Sequence, residues 1–254
     1  MRAIVTMLAA ITLCGSAMAA PAIPANIEKA LADPARPATD TSRDAGRKPA
    51  PVLAFAGIKP GMVVVDMLPG VGATGGYYTR ILARAVGPKG LVYAYFGTQY
   101  DQRLINQKQD PANQFADLKK IYPNLHVIHG PLEQFVTPEK VDLVWTSDNY
   151  HDMHNKAYAM DPNVVNRQVF ASLKHGGIYL VLDHRAAKGA GLAATEALHR
   201  MDEEVAIKEI EAAGFKLVAE SQALTNPADD NNKRVQEAGE HDHTDQFVLK
   251  FRKP

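Results

Sequence analysis

Cysteine is almost absent from this sequence: Cys14 is the only one among 254 residues. It lies in a segment that we expect to be removed from the mature chain, as described below. The mature chain would then contain no thiol and need no disulfide. Its stability must come from an ordinary hydrophobic core, which a chain of this length can bury.

Charge of either sign is not in excess, because 28 basic residues balance 28 acidic ones. This balance gives no electrostatic case for binding nucleic acid or an anionic membrane. Long apolar runs and internal repeats are lacking as well. The length fits one domain of the larger α/β kind, and no pattern indicates the oligomeric state.

The first residues have the pattern of a secretory signal. Met1-Arg2 is basic, residues 3–13 are apolar, and Ala17-Met18-Ala19 supplies small residues for cleavage. We therefore predict a signal peptide over residues 1–19, a periplasmic or secreted location, and no membrane attachment after cleavage. Residues 20–50 are rich in proline, alanine and charge and are predicted as an N-terminal lead-in with one short helix. The folded domain is predicted over residues 51–254.

Strand and helix patterns alternate through that domain. Apolar and β-branched runs predict strands over residues 62–66, 91–95, 125–128, 141–146, 178–182, 215–219 and 246–251. Helical spacing follows most of them, for example over residues 77–85 and 202–213. The alternation predicts a doubly wound, Rossmann-like seven-stranded sheet that is mostly parallel. Residues 221–245 are polar and rich in breakers, so the last strand is predicted to return antiparallel.

The first strand runs directly into a glycine-rich loop. Such a loop lets backbone N–H groups approach a ligand and leads into the N-terminus of the next helix. In open α/β sheets, ligands bind beyond the carboxyl ends of the strands. The candidate cofactor-binding residues are therefore Asp66, Pro69, Gly70, Gly72, Gly75, Gly76 and Tyr77.

Histidine and aspartate follow two later strands. His151 and Asp152 come after the fourth strand, and Asp183 and His184 end the fifth. We predict these four as catalytic residues, with His151 as a general base oriented by Asp152 or Asp183. The same groups could instead bind a metal or hydrogen-bond neighbouring loops. No three-ligand metal spacing is evident, so no metal site is predicted.

Two further polar motifs are harder to interpret. His199 and Arg200 precede a helix, and Arg200 could bind an anionic substrate or form a surface salt bridge. His241-Asp242-His243 lies in the polar return and is interpreted as a solvated loop.

Together, these motifs resemble the class I S-adenosylmethionine-dependent methyltransferases, and more narrowly a bacterial group of exported, predicted methyltransferases. The resemblance covers residue 43 to the C-terminus. The resemblance implies S-adenosylmethionine as cofactor and methyl transfer to an unidentified small-molecule acceptor. It rests on the following segments: Lys59-Pro60-Gly61-Met62, Asp66 with the glycine loop, Asn149-Tyr150-His151-Asp152, Leu173-Lys174-His175-Gly176-Gly177, Asp183-His184-Arg185, Leu198-His199-Arg200, Glu211-Ala212-Ala213-Gly214-Phe215, Asn226-Pro227-Ala228-Asp229-Asp230, Thr244-Asp245-Gln246-Phe247 and Lys250-Phe251-Arg252-Lys253-Pro254.

Two positions depart from the family pattern. Leu68 stands where the first loop glycine is expected, and the loop is about four residues longer than the usual fingerprint. The second strand ends without an acid for the ribose hydroxyls, and Gln99 or Asp101 would have to replace it. Two alternatives therefore stay open: a non-catalytic periplasmic small-molecule-binding protein, and an NAD-type oxidoreductase that uses Gly70-x-Gly72-x-x-Gly75. The enzyme hypothesis also requires the lengthened loop to leave the crevice beside the first strand open.

Overall fold

The computed structural model describes residues 22–237 and 241–254. The predicted signal peptide, residues 1–19, lies outside the described residues. Within those ranges, none of the helices combines the length and the apolar character that crossing a bilayer requires.

A single seven-stranded sheet forms the centre of the domain, in the order β3-β2-β1-β4-β5-β7-β6. Strands β1 to β5 pair in parallel, and β7 pairs antiparallel with both β5 and β6. The prediction of a doubly wound, mostly parallel sheet with an antiparallel last strand is confirmed. The strands are β1 Val63–Met67, β2 Leu91–Gly97, β3 Leu125–Gly130, β4 Val141–Ser147, β5 Leu173–His184, β6 Lys216–Ser221 and β7 Gln246–Arg252.

Helices cover both faces of the sheet. One buried cluster joins the sheet to α1, α4, α5 and α7, and the other joins it to α8 and α10. Both faces of the central strands are therefore apolar, as a two-sided parallel sheet requires. The helices are α1 Ala25–Leu31, α2 Ala38–Thr41, α3 Asp44–Arg47, α4 Pro49–Ala56, α5 Tyr77–Val86, α6 Asp101–Asn106, α7 Pro111–Ile121, α8 Pro162–Ser172, α9 Ala193–Leu198 and α10 Glu203–Ala212.

The described part of the predicted lead-in packs against the domain. Ile27 and Ala30 of α1 are fully buried in the same cluster as residues of α5. The Asn26 amide donates hydrogen bonds to the carbonyls of Ile58 and Ala85, at 3.2 and 3.1 Å. The sequence indicates the helix at α1 but misses α2 and α3, which are only four residues long each. These two helices bring charged side chains to the edge of the sheet described next.

The carboxyl ends of β1, β2, β4 and β5 lie at one edge of the sheet. Because β7 runs antiparallel, its first residue, Gln246, pairs with the last residue of β5, His184. The segment before β7 therefore reaches the same edge as the ends of the parallel strands. This topology brings residues from both ends of the described chain to one place.

Candidate functional site

A cavity of about 480 Å³ opens at this edge of the sheet, within the usual size range of small-molecule sites. Its walls come from the segments that follow β1, β2 and β4, from α3 and the residue before it, and from the turn before β7. The lining residues are Arg43, Arg47, Asp66, Leu68, Pro69, Gly70, Val71, Gly75, Tyr77, Tyr78, Phe96, Gly97, Tyr100, Arg103, Leu104, Gln107, Gln109, Ser147, Asp148, Asn149, Asp152 and His241.

The lengthened glycine loop leaves this cavity open. The Gly76 N–H donates to the Pro69 carbonyl at 2.8 Å, which closes the intervening residues into a compact bulge. Gln114 of α7 holds the tip, because its Oε1 accepts from the Gly72 N–H and its Nε2 donates to the Gly72 carbonyl. The loop therefore folds onto itself and forms one wall, so the condition that the enzyme hypothesis placed on it is met.

Leu68 has a backbone conformation that is usually found for glycine. Its φ is +60°, in the left-handed region that costs an L-residue about 1 to 2 kcal/mol. Its N–H donates to the Tyr95 carbonyl at 2.9 Å, and its carbonyl accepts from the Asn149 amide at 3.0 Å. Groups from β2 and from the segment after β4 thus hold the strained turn in place.

Asp66 connects the first strand to the helix after the loop. It is 3 % exposed, and its Oδ2 accepts a hydrogen bond from the Thr79 hydroxyl at 2.5 Å. Burial raises the pKa of Asp66 to about 6, against the opposing effect of the Thr79 hydrogen bond. A carboxyl on the cavity wall therefore changes charge close to neutral pH.

Most of the predicted cofactor residues line the cavity. Asp66, Pro69, Gly70, Gly75 and Tyr77 do so. Gly72 and Gly76 lie in the same loop but do not belong to the wall formed by the described residues: Gly72 faces Gln109 and Gln114, and Gly76 packs against Phe115 and Leu118. Their predicted role in binding stays a prediction about the loop backbone.

The end of β2 offers different groups from those expected. Phe96 and Gly97 line the cavity, whereas Gln99 and Asp101 do not contribute to its wall as far as the chain is described. Gln99 Oε1 accepts from the Leu132 N–H at 3.2 Å, and Asp101 Oδ1 lies 2.8 Å from His129 Nε2. Gln99 and Asp101, the two residues expected to replace the missing acid, therefore make their hydrogen bonds outside the cavity. The polar side chains that do reach the cavity from this side are Tyr100, Arg103, Gln107 and Gln109.

Arg47 is the central charged residue of the opposite wall. Its guanidinium lies 2.7 Å from Asp148 Oδ2 and 3.1 Å from Asp242 Oδ1, and it also donates to the Ser147 hydroxyl at 2.8 Å. Its Cζ is 5.0 Å from the ring centres of both Tyr77 and Tyr78. Arg43 donates two further hydrogen bonds to the Asp242 carboxylate, at 2.7 and 2.8 Å. The lead-in and the turn before β7 are therefore joined by charge pairs beside the cavity.

His151 is held by Asp183 rather than exposed to the cavity. The backbone N–H and the ring Nδ1–H of His151 both donate to the Asp183 carboxylate, at 2.7 and 2.8 Å. The histidine is 4 % exposed. Burial lowers the pKa of His151, but Asp183, Asp152 and Asp148 outweigh it and raise that pKa to about 9. The imidazole is therefore protonated at neutral pH. Its role as a general base stays a prediction, and one that would require alkaline pH.

The ion pair between His151 and Asp183 should make the protein less stable as the pH rises. The pKa of His151 is raised from 6.5 to about 9, so its contribution is complete below pH 6.5 and is lost as the pH rises to 9. We expect the free energy of unfolding, measured in urea, to decrease across this window by up to about 1.4 kcal/mol per pH unit.

Asp183→Asn should remove that slope, whereas Asp101→Asn, which breaks the exposed pair with His129, should keep it. An NMR titration of the His151 ring in the unaltered protein gives its pKa directly. A midpoint near 6.5 would contradict the assignment.

The other predicted catalytic residues divide between the cavity wall and the interior. Asp152 lines the cavity, and its Oδ1 lies 3.5 Å from His151 Nε2 and 3.8 Å from His199 Nδ1. Asp183 is fully buried, and His184 is 1 % exposed with its Nδ1 at 2.6 Å from the Thr244 hydroxyl. Among the four, Asp152 is therefore the residue that lines the cavity.

Two motifs behave differently from their sequence interpretation. Arg200 is fully buried and forms an ion pair with Asp229 at 2.8 Å, so it is neither a substrate contact nor a surface salt bridge. His241 lines the cavity, and Asp242 pairs with Arg43 and Arg47, so the turn before β7 belongs to the site. Local sequence patterns do not reveal that this turn belongs to the site, because Asp242 is far along the chain from Arg43 and Arg47.

Comparison with solved structures identifies the fold of this domain. No family model and no curated protein matches this sequence. A S-adenosylmethionine-dependent methyltransferase from Aquifex aeolicus is 20 % identical with a TM-score of 0.55, over 90 % of this chain and 97 % of the other. The 1,6-didemethyltoxoflavin-N1-methyltransferase from Burkholderia thailandensis, solved with S-adenosylhomocysteine, is 18 % identical with a TM-score of 0.52, over 85 % of this chain and 78 % of the other. The 4+2 cyclase SpnF is 15 % identical with a TM-score of 0.53, over 85 % of this chain and 80 % of the other.

The domain therefore has the Rossmann-like fold of the S-adenosylmethionine-dependent methyltransferases. The cyclase shares that fold, so the fold alone does not define the reaction. The reaction has to be inferred from the cavity.

Proposed function

We propose that this protein is an S-adenosylmethionine-dependent methyltransferase that acts on a small molecule. The observation that carries the proposal is the open cavity of about 480 Å³ at the carboxyl ends of β1, β2 and β4, with the glycine loop as one wall. In this fold class, ligands bind at that edge of the sheet. The similar structures from Aquifex and Burkholderia are methyltransferases of the same architecture.

The cavity wall suits a molecule that carries both signs of charge. Arg103 can face a carboxylate, while Asp66 and Asp152 can face an ammonium or sulfonium group. Aromatic rings of Tyr77 and Phe96 provide apolar surface for a base. Tyr100, Gln107 and Gln109 replace the missing acid as hydrogen-bonding groups beside the end of β2.

Asp152 is our candidate for contact with the methyl acceptor. Methyl transfer requires that the two reactants are aligned, and a base is needed only where the acceptor carries a proton. Asp152 reaches the cavity, and His151 and His199 lie beside its carboxylate. It can therefore hydrogen-bond an acceptor hydroxyl or amine, or take its proton, while Asp183 fixes the neighbouring imidazole from the interior.

Ligand binding tests the proposal directly. We expect S-adenosylmethionine and S-adenosylhomocysteine to raise the melting temperature of the purified protein in a thermal shift assay. At a ligand concentration of about 100 times Kd the stabilisation amounts to about 2.7 kcal/mol. NAD should give no shift. A shift with NAD alone would favour the oxidoreductase hypothesis, and no shift with either adenosyl compound would refute the proposal.

One observation favours a non-catalytic binding protein as the second candidate. The end of β2 has no carboxylate, and Asp101 is paired with His129 outside the cavity. A protein that kept the fold but lost the ribose contact would bind another small molecule at the same place. The thermal shift experiment separates the two candidates, because this alternative requires that neither adenosyl compound binds.

We further propose that the chain is exported and belongs to the exported group of predicted methyltransferases that its motifs resemble. The basic, apolar and small-residue pattern of residues 1–19 supports export. Mass spectrometry of protein recovered from the periplasmic fraction should show a mature N-terminus at Ala20. Recovery of the uncleaved chain from the cytoplasm alone would contradict this.

A further inference from the structure

Three metal-ligating side chains come together beside the cavity, although they are distant in sequence. Asp148 follows β4, His184 ends β5, and His241 lies in the turn before β7. Since β4, β5 and β7 are neighbours in the sheet, their ends at this edge place the three residues side by side. One ligand atom from each lies within 4.8 Å of the other two.

Two of these ligand atoms are buried and unsatisfied. Asp148 Oδ1 and His184 Nε2 lie 3.8 Å apart, and neither has a hydrogen-bond partner within the described residues. His184 is 1 % exposed, so its Nε2 has no access to bulk water. A buried polar atom without a partner costs about 1 to 3 kcal/mol. These two atoms are therefore available to coordinate a shared cation.

The surrounding hydrogen bonds orient both ligands. His184 Nδ1 lies 2.6 Å from the Thr244 hydroxyl, which donates in turn to the His241 carbonyl at 3.2 Å. A metal-bound histidine commonly uses its second nitrogen in this way. Arg47 donates a hydrogen bond to Asp148 Oδ2 at 2.7 Å. The other carboxylate oxygen, Oδ1, is the one that lies near His184 Nε2.

We propose that Asp148, His184 and His241 bind one divalent transition metal ion of the zinc class. Two nitrogen ligands select zinc-like ions over magnesium and calcium. Tetrahedral zinc with bonds of about 2.0 to 2.2 Å separates its donors by about 3.4 Å, and Asp148 Oδ1 and His184 Nε2 lie 3.8 Å apart. Asp148 and His241 also line the cavity, so an ion with three protein ligands keeps an open coordination position for a bound molecule.

A second histidine–aspartate group, formed by His151, Asp152 and His199, is the competing location. It suits a metal less well. His151 Nδ1 is committed to Asp183 at 2.8 Å, and the imidazole carries a proton at neutral pH, which repels a cation. This group therefore provides the matched control.

Calorimetric titration of the full chain, stripped of metal with a chelator and then dialysed, tests the proposal. Zn²⁺ should bind at one ion per chain, Co²⁺ should give the visible absorption of a tetrahedral complex, and Mg²⁺ should not bind. His241→Gln should weaken Zn²⁺ binding by more than about tenfold, in line with the loss of a ligand. His241 is 46 % exposed in its side chain, so this variant should fold, and far-UV circular dichroism checks that it does.

The control variants are His199→Gln, in the competing group, and His175→Gln, an exposed histidine outside both. Both should bind Zn²⁺ like the unaltered chain. Loss of binding in His199→Gln, unchanged binding in His241→Gln, or no stoichiometric binding at all would each overturn the proposal. Because no adenosyl compound is used, failure here is distinguishable from failure of the proposed methyltransferase function.

Discussion

Replacement of Arg47 with methionine should lower the free energy of unfolding by about 3 to 5 kcal/mol at pH 7, the range for breaking a buried ion pair from one side. Arg47 is 8 % exposed and holds Asp148 and Asp242 at 2.7 and 3.1 Å. Methionine preserves much of the packing against Tyr77 and Tyr78 but leaves carboxylates without their counter-charge. Urea denaturation followed by circular dichroism measures the loss.

Arg84→Met is the matched control. Its side chain is 57 % exposed, and it lies 3.6 Å from Asp33, so its loss should change stability by no more than about 0.5 kcal/mol. Adding Asp148→Asn to the Arg47 variant should recover part of the loss, because one uncompensated charge is removed. A decrease of less than about 1 kcal/mol for Arg47→Met would show that water, not Arg47, compensates the two carboxylates.

Gly75→Ala should abolish most of the affinity for S-adenosylhomocysteine, with a decrease on the order of 100-fold. A Cβ at Gly75 would lie 2.5 and 2.6 Å from the Cα and N of Val71 and 2.7 Å from the carbonyl carbon of Gly70. These are backbone atoms of the same bulge, so the loop must open to accommodate it. Displacement of a binding wall by about 1 Å is enough for an effect of this size.

Ala73→Ser is the control for Gly75→Ala, because Ala73 is exposed at the tip of the same loop. It should leave the affinity unchanged, as measured by calorimetry. The Gly75 variant should keep its circular dichroism spectrum, since the loop lies at the edge of the sheet. Unaltered binding in a folded Gly75→Ala variant would exclude the bulge as a wall of the ligand site.

The sheet could be predicted from the sequence because its signals are local. A β-branched run such as residues 63–65 identifies a buried strand by itself, and a glycine after a periodic segment marks the end of a helix, as Gly87 does after α5. The antiparallel return was predictable for the same reason, since residues 221–245 contain no helical period. The position of the cavity followed from the rule for open α/β sheets.

Several side chains of the site could not be predicted, because their partners are distant in sequence. Arg43 and Arg47 lie in a segment whose composition resembles a linker, and they pair with Asp242 and Asp148 only in the folded protein. His241 was interpreted as a solvated loop, since nothing local shows that β7 returns beside β5. For His151 the sequence indicated the strand end and Asp152 or Asp183 as a possible partner, but not that the imidazole would be buried against Asp183.

The link from Arg43 and Arg47 to Asp242 also affects the order in which the walls of the cavity form. Arg43 and Arg47 leave the ribosome 199 and 195 residues ahead of this aspartate. A nascent chain can therefore form its early strands before Asp242 has been synthesised, whereas contacts between such distant residues form late. Until residue 242 is available, the polypeptide lacks the ion pairs that join these two walls of the cavity.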